Sequence, residues 1–312
     1  MSSEPNPSAT FDEPRRRTIS LDPSRGPGLV SALDFGDPSR PIDVVFFHAN
    51  GFNAQTYRSV LGPLSRSLRI LAVDQRGHGQ TTLTTKVEGR RSWDDHRYDD
   101  IAILDALAKE PGFKPVVLSG HSMGSTMALY AAEARPALVR SVVMFDPVIM
   151  DKRTQFIGSL PWVGPDHWAK SPLAQGALRR RSVFDDRASV LAAYTGRGAF
   201  KTWPAESLAD YVEGGFVDRP DGKVELACAP AWEASNFSAM ANRPWPILAK
   251  VQRPVKIFQA EHGSTCRVGP HEDFVKTNRR GVLSISSVPG TTHFLPLERP
   301  DLVRQALAEA AG

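Results

Sequence analysis

A chain of 312 residues, 41% hydrophobic and 23% charged, is long enough for one large α/β core, alone or with an insertion, and has an ordinary globular composition. Its formal charge of +4 sits in short clusters (Arg15-Arg16-Arg17, Arg90-Arg91, Arg179-Arg180-Arg181, Arg279-Arg280), mostly without interleaved aromatics, so no nucleic-acid partner is expected. No apolar run approaches a membrane span or a secretory signal, and Cys228 and Cys266 match no metal-ligand spacing, so the expectation is a cytoplasmic protein with no metal, no cofactor and no membrane insertion.

Residues 1–14, polar and rich in Ser, Pro and Glu, have almost nothing to bury and read as a disordered tail. A hairpin follows, with strands over 17–21 and 29–35 joined by a Pro/Gly turn through 22–28. Residues 43–48 and 68–74 are continuous apolar runs bounded by turn residues, the pattern of strands buried on both faces. Residues 115–119, 141–146, 254–260 and 282–288 continue the series. Helical patterns such as 101–107 lie between most of them, which predicts a mostly parallel sheet with helices on both faces.

One interval breaks this rhythm. From 148 to 250 no buried strand is evident, and five of the six tryptophans fall there (Trp162, Trp168, Trp203, Trp232, Trp245). A hundred residues without a sheet strand is too long for a loop. The interval is read as a helical cap inserted between two core segments, 15–147 and 251–312. An insertion across a catalytic face supplies its roof, so Trp162 and Trp168, with Phe52 from the core, are the expected substrate-pocket residues.

The segment 116–130 is the most informative. Val116-Val117-Leu118-Ser119 is a buried strand, Gly120-His121-Ser122-Met123-Gly124 a very tight turn, and the small residues after it a helix. A serine on such a turn is lifted above the sheet with the next N–H groups gathered at a helix start, which makes a nucleophile and half of an oxyanion hole together. Gly120 and Gly124 stand where a Cβ would collide with the neighbouring chain.

Four motifs then occur in order: His48-Ala49-Asn50-Gly51-Phe52, Asp74-Gln75-Arg76-Gly77-His78-Gly79, the turn at Ser122, and Thr292-His293-Phe294-Leu295-Pro296. Together they make the chain resemble the α/β-hydrolase superfamily over nearly all its length beyond the N-terminal tail. The resemblance implies the α/β-hydrolase fold with an inserted helical cap, Ser122 as nucleophile and His293 as general base. The second oxyanion N–H, beside that of Met123, is then Asn50, because the family's His-Gly-x stands here as His48-Ala49-Asn50. The Asn50 carboxamide is a further candidate donor. His48, His78 and His121 are expected to make structural hydrogen bonds.

The acid departs from the family pattern. Most members carry a Gly-x-x-Asp stretch after the penultimate strand, and this chain has Ala260-Glu261-His262-Gly263. Two candidates stand: Glu261, two residues early, and Asp146, at the end of an earlier strand where some relatives place their acid. Asp146 is preferred, and both stay open. Serine rather than aspartate at the turn excludes the alkyl-ester chemistry of the dehalogenase and epoxide-hydrolase relatives. The main expectation is therefore a lipase-like carboxylesterase acting on a small-molecule ester with an apolar acyl or alcohol part. C–C bond, lactone or amide hydrolysis, acyl transfer, perhydrolysis and ligand binding on the same scaffold are the alternatives.

Overall fold

The computed structural model describes residues 11–268, 274, 276–278 and 280–312. Eight strands form the central sheet: β1 (Arg15–Ile19), β2 (Val30–Phe35), β3 (Val44–Phe47), β4 (Ile70–Asp74), β5 (Val116–His121), β6 (Val139–Phe145) and, after the insertion, β10 (Val255–Ala260) and β11 (Leu283–Val288). Their spatial order is β1-β2-β4-β3-β5-β6-β10-β11. β1 and β2 pair antiparallel, as does β2 with β4, and the rest is parallel. The hairpin and the six apolar runs thus all appear as strands.

Alternation along the strands divides the core into two layers. Val45 and Phe47 face Leu104, Leu129 and Leu248, carried by the helices Asp94–Leu107, Met123–Ala134 and Pro244–Lys250. Val44 and Phe46 face the opposite layer, with Leu61 and with Val303 and Leu307 of helix Pro300–Ala311. Both faces of β3 are therefore dry, which is why its sequence is an unbroken apolar run.

The interval 148–250 is not purely helical, a correction to the expectation. Besides helices such as Lys152–Ser159, Pro172–Leu178, Ala205–Gly215 and Pro230–Ser238, it holds a three-stranded antiparallel sheet of β7 (Val183–Phe184), β8 (Phe216–Asp218) and β9 (Val224–Leu226). Strands of two or three residues are too short to show a period in sequence. The helix Pro230–Ser238 is bound tightly to the core. Trp232 is buried under the Arg90 guanidinium, 4.0 Å from its ring, and its Nε1–H donates to the Arg76 carbonyl at 2.9 Å.

Residues 1–10 of the expected tail, and Arg279, lie outside the described residues. Residues 11–14 carry no regular structure, yet Glu13 accepts a hydrogen bond from Arg58 Nε at 2.9 Å and the Arg58 guanidinium lies 5.2 Å from the Phe11 ring.

Candidate functional site

β5 runs on to His121, and the next residue, Ser122, has φ 55° and ψ −120°. A non-glycine residue in that region carries about 1–3 kcal/mol of backbone strain. The turn is held by its surroundings: Ser122 N–H donates to the Phe145 carbonyl at 3.0 Å, and the Ser122 carbonyl accepts from Thr126 at 3.3 Å. A Cβ on Gly124 would lie 2.3 Å from the Phe47 carbonyl oxygen, and one on Gly120 2.6 Å from the same atom. The two glycines let helix Met123–Ala134 start directly above β3.

His293 Nε2 lies 3.0 Å from Ser122 Oγ, and its Nδ1 2.6 Å from Asp146 Oδ2. Three residues from three parts of the chain thus form one hydrogen-bonded line. Asp146 follows β6 with φ 42° and is fully buried. Burial opposes its ionisation, but the hydrogen bond and charge of His293, with donors from Ser264 and Ala260, hold its carboxyl below the usual range. Ala260 N–H donates to Oδ1 at 2.9 Å and Thr265 N–H to Oδ2 at 3.1 Å. Glu261 is not brought to His293. Its carboxylate accepts from Gly290 N–H at 2.8 Å and lies 3.3 Å from His262, in solvent. The stretch in which most of the superfamily carries an acid therefore supplies, through Ala260, Ser264 and Thr265, the donors around a carboxylate from the neighbouring strand. Sequence reading missed that cradle, although Ser264-Thr265 directly after the vacant position was its visible trace.

The loop after β3 is stapled to the loop after β4 by two neutral imidazoles. His48 Nε2 accepts from Gln75 N–H at 2.9 Å, and His78 Nε2 accepts from Gly51 N–H at 3.0 Å. Burial drives both histidines down, His48 to about 3. The Asn50 carboxamide is not a free donor. It donates to the Glu233 carbonyl at 3.1 Å and accepts from Asn236 Nδ2 at 2.8 Å, both on helix Pro230–Ser238. The backbone N–H groups of Asn50 and Met123 make no hydrogen bond among the described residues. Both are thus available to an oxygen atom near Ser122.

His121, inside the turn, supports His293. Its Nδ1 faces the Tyr57 hydroxyl at 2.7 Å and its Nε2 the His293 main-chain carbonyl at 2.6 Å. Burial, with the nearby His293, pushes His121 down to about 3, and burial raises the Tyr57 phenol. Tyr57 accordingly donates to the neutral ring, which donates on to His293.

Of the expected pocket residues, Phe52 lies beside this line: its ring is 5.7 Å from His121, 5.0 Å from Trp203 and 6.2 Å from Phe294. Phe294 in turn lies 5.9 Å from His293. Trp203 and Phe294, not Trp162 and Trp168, thus complete the aromatic wall. Trp162 stands 78% exposed, and Trp168 stacks edge-on with His167 at 5.0 Å. Ser122 itself is only 6% exposed. Among the described residues no cluster of three or more His, Cys, Asp or Glu is placed to hold a metal ion, and no helix is long and apolar enough to cross a membrane.

Residues 44–306 match the model of the alpha/beta hydrolase family. The chain is 27% identical over 265 residues to a 2-(acetamidomethylene)succinate hydrolase of Mesorhizobium japonicum, covering 85% of this chain and 86% of that protein. A Mycobacterium tuberculosis lipase, LipV, is 30% identical over a shorter stretch of 112 residues, 36% of this chain and 40% of the lipase. The crystal structure of an E-2-(acetamidomethylene)succinate hydrolase superposes with a TM-score of 0.72 at 24% identity, covering 95% of this chain and 98% of the other.

Proposed function

The chain belongs to the alpha/beta hydrolase family, and from that premise we propose that it cleaves an acyl bond of a small molecule through a Ser122 acyl-enzyme, with an amide-type C–N bond as the target. The observation that carries the chemistry is the line Ser122–His293–Asp146, with spacings of 3.0 and 2.6 Å, ending on a serine of positive φ. Ser122 Oγ–H gives its proton to His293 Nε2 as Oγ attacks the carbonyl carbon. Asp146 stays ionised and accepts from Nδ1–H, which fixes the tautomer and stabilises the imidazolium. The unpaired Met123 and Asn50 N–H groups receive the oxyanion. The imidazolium then protonates the leaving nitrogen, the C–N bond breaks, and a water deprotonated by His293 releases the acid.

The bond type rests on relatedness. The Mesorhizobium protein, aligned over most of both chains, is named for an acetamido substrate, whereas the lipase aligns over little more than a third of each. This reading displaces the carboxylic-ester expectation. Hydrolysis of an apolar ester is the second reading, favoured by the wall of Phe52, Trp203 and Phe294.

The test pairs substrates of identical acyl group, one an N-acyl enamine and one an alkyl ester, compared by kcat/KM. A larger value for the amide series supports the proposal, and a larger value for the ester series selects the second reading. Ser122→Ala should abolish both activities while the protein stays folded by circular dichroism. Retained turnover would remove Ser122 as nucleophile.

A further inference from the structure

Where the end of the cap rejoins the core, a groove of about 580 Å³ opens beside helix Met123–Ala134. Arg91, Arg97, Arg243 and Lys250 line it, together with Tyr130 and a single carboxylate, Asp94. The Asp94 carboxylate accepts from Ser92 Oγ at 2.6 Å. Among the described residues none of the four cations makes an ion pair. The Arg91 guanidinium is committed to backbone, donating to the Leu160 and Pro161 carbonyls at 2.7 and 2.9 Å. Arg97 lies over the Tyr130 ring at 5.2 Å, and its Nε is buried with no acceptor among the described residues. The main-chain N–H of Arg243 donates to the Tyr130 hydroxyl at 2.8 Å, which fixes the residue at the groove while its guanidinium, like the Lys250 ammonium, has no acceptor among the described residues.

A second surface cavity, of about 430 Å³, shows the contrast. Its two arginines are answered within the protein: Arg58 by Asp210 at 3.4 Å and Arg187 by Glu213 at 3.7 Å. Arg76, buried in the core, is likewise paired, with Asp99 at 2.6 Å. Cations gathered without counter-charge repel one another, and that repulsion turns to attraction once an anion of more than one charge enters. Guanidinium groups supply the forked donors that tetrahedral oxyanions accept. The groove volume lies in the ordinary range for small-molecule sites, about 300–1,000 Å³.

We propose that this groove binds a compact multivalent oxyanion of the phosphate class, bridging Arg97 of the core to Arg243 and Lys250 at the end of the cap. It is separate from the nucleophile, since Tyr130 lies eight residues beyond Ser122, about 12 Å along the helix. The site is therefore independent of the hydrolase reading, and its test needs no turnover.

The probe is inorganic pyrophosphate, titrated calorimetrically into the full chain at an ionic strength held constant with sodium chloride. Saturable binding of one ion per chain is expected, weakened about tenfold by Arg97→Gln and again by Arg243→Gln. Arg97 packs on Tyr130, so its variant can lose structure. Arg243→Gln leaves the main-chain bond to Tyr130 in place and carries the test if that happens. Absence of saturable binding to the unaltered chain overturns the proposal. Binding that Arg243→Gln retains at full strength overturns it as well, because the anion then sits elsewhere.

Discussion

Asp146 and Glu261 separate what a carboxylate's position in sequence implies from what its surroundings make of it. Asp146 is buried, accepts from Ala260 and Thr265 N–H groups, and meets His293 at 2.6 Å. Glu261 lies in solvent beside His262. Asp146→Asn should lower kcat by roughly ten-thousand-fold, because a carboxamide in that cradle favours the wrong imidazole tautomer. Glu261→Gln should leave kcat essentially unchanged. Steady-state kinetics of both variants, with folding checked by circular dichroism, decide the matter, and a crippled Glu261→Gln would reverse the assignment. The residue types of the site were legible in sequence: Ser122, His293, Asn50 and Met123 all stand on motifs. The choice of acid was legible only as a preference for Asp146 over Glu261. It depends on β6, β10 and β11 lying side by side, which brings the ends of segments 147 residues apart into contact. The aromatic wall was half legible for a similar reason. Phe52 follows a motif, whereas Trp203 reaches Phe52 only through packing between segments remote in sequence.

At the scale of elements, the strand–turn–helix at Ser122 is fixed by steric contact more than by propensity. A Cβ on Gly124 would meet the Phe47 and His48 carbonyl oxygens at 2.3 and 2.5 Å, both main-chain atoms that cannot rotate aside. Gly124→Ala should therefore cost about 3 kcal/mol in urea unfolding, the upper end of what overpacking ordinarily costs. It should also lower kcat, since β3 and the helix must part and Ser122 moves with them. An unfolding midpoint and kcat both equal to those of the unaltered chain would contradict this close approach. The strands of the main sheet were legible because both faces are buried and their runs are unbroken. The small sheet within 148–250 was not, because its strands are held by neighbours remote in sequence rather than by a pattern of their own.

The whole molecule carries a pH signature. His48, His78, His96 and His121 are buried, and burial drives each below its ordinary value, His48 and His121 to about 3. In the unfolded chain these rings titrate near ~6.5. Below that pH the unfolded state binds protons that the folded state refuses, so stability falls with pH by up to about 1.4 kcal/mol per unit for each ring. The loss runs from near the unfolded value down to the folded one. Asp74, Asp100 and Asp210 oppose it, since burial raises all three, Asp210 to about 6, and their contribution grows as pH falls. The four rings outnumber the three acids, so urea unfolding should give a smaller free energy at pH 5 than at pH 7. A free energy that is flat or larger at pH 5 would mean that the three raised carboxyls outweigh the four imidazoles, or that those imidazoles accept protons in the folded state.

Trp232, locked between Arg90 and the Arg76 carbonyl, has an evolutionary consequence. The helix it anchors holds Asn50 through Glu233 and Asn236, so that helix is bound to the loop after β3 and has little latitude to vary. The outer cap helices, Lys152–Ser159 and Pro172–Leu178, make no hydrogen bond to Asn50, Ser122, Asp146 or His293 among the described residues. Substitutions in those two outer helices are therefore free of the constraint that ties Pro230–Ser238 to Asn50.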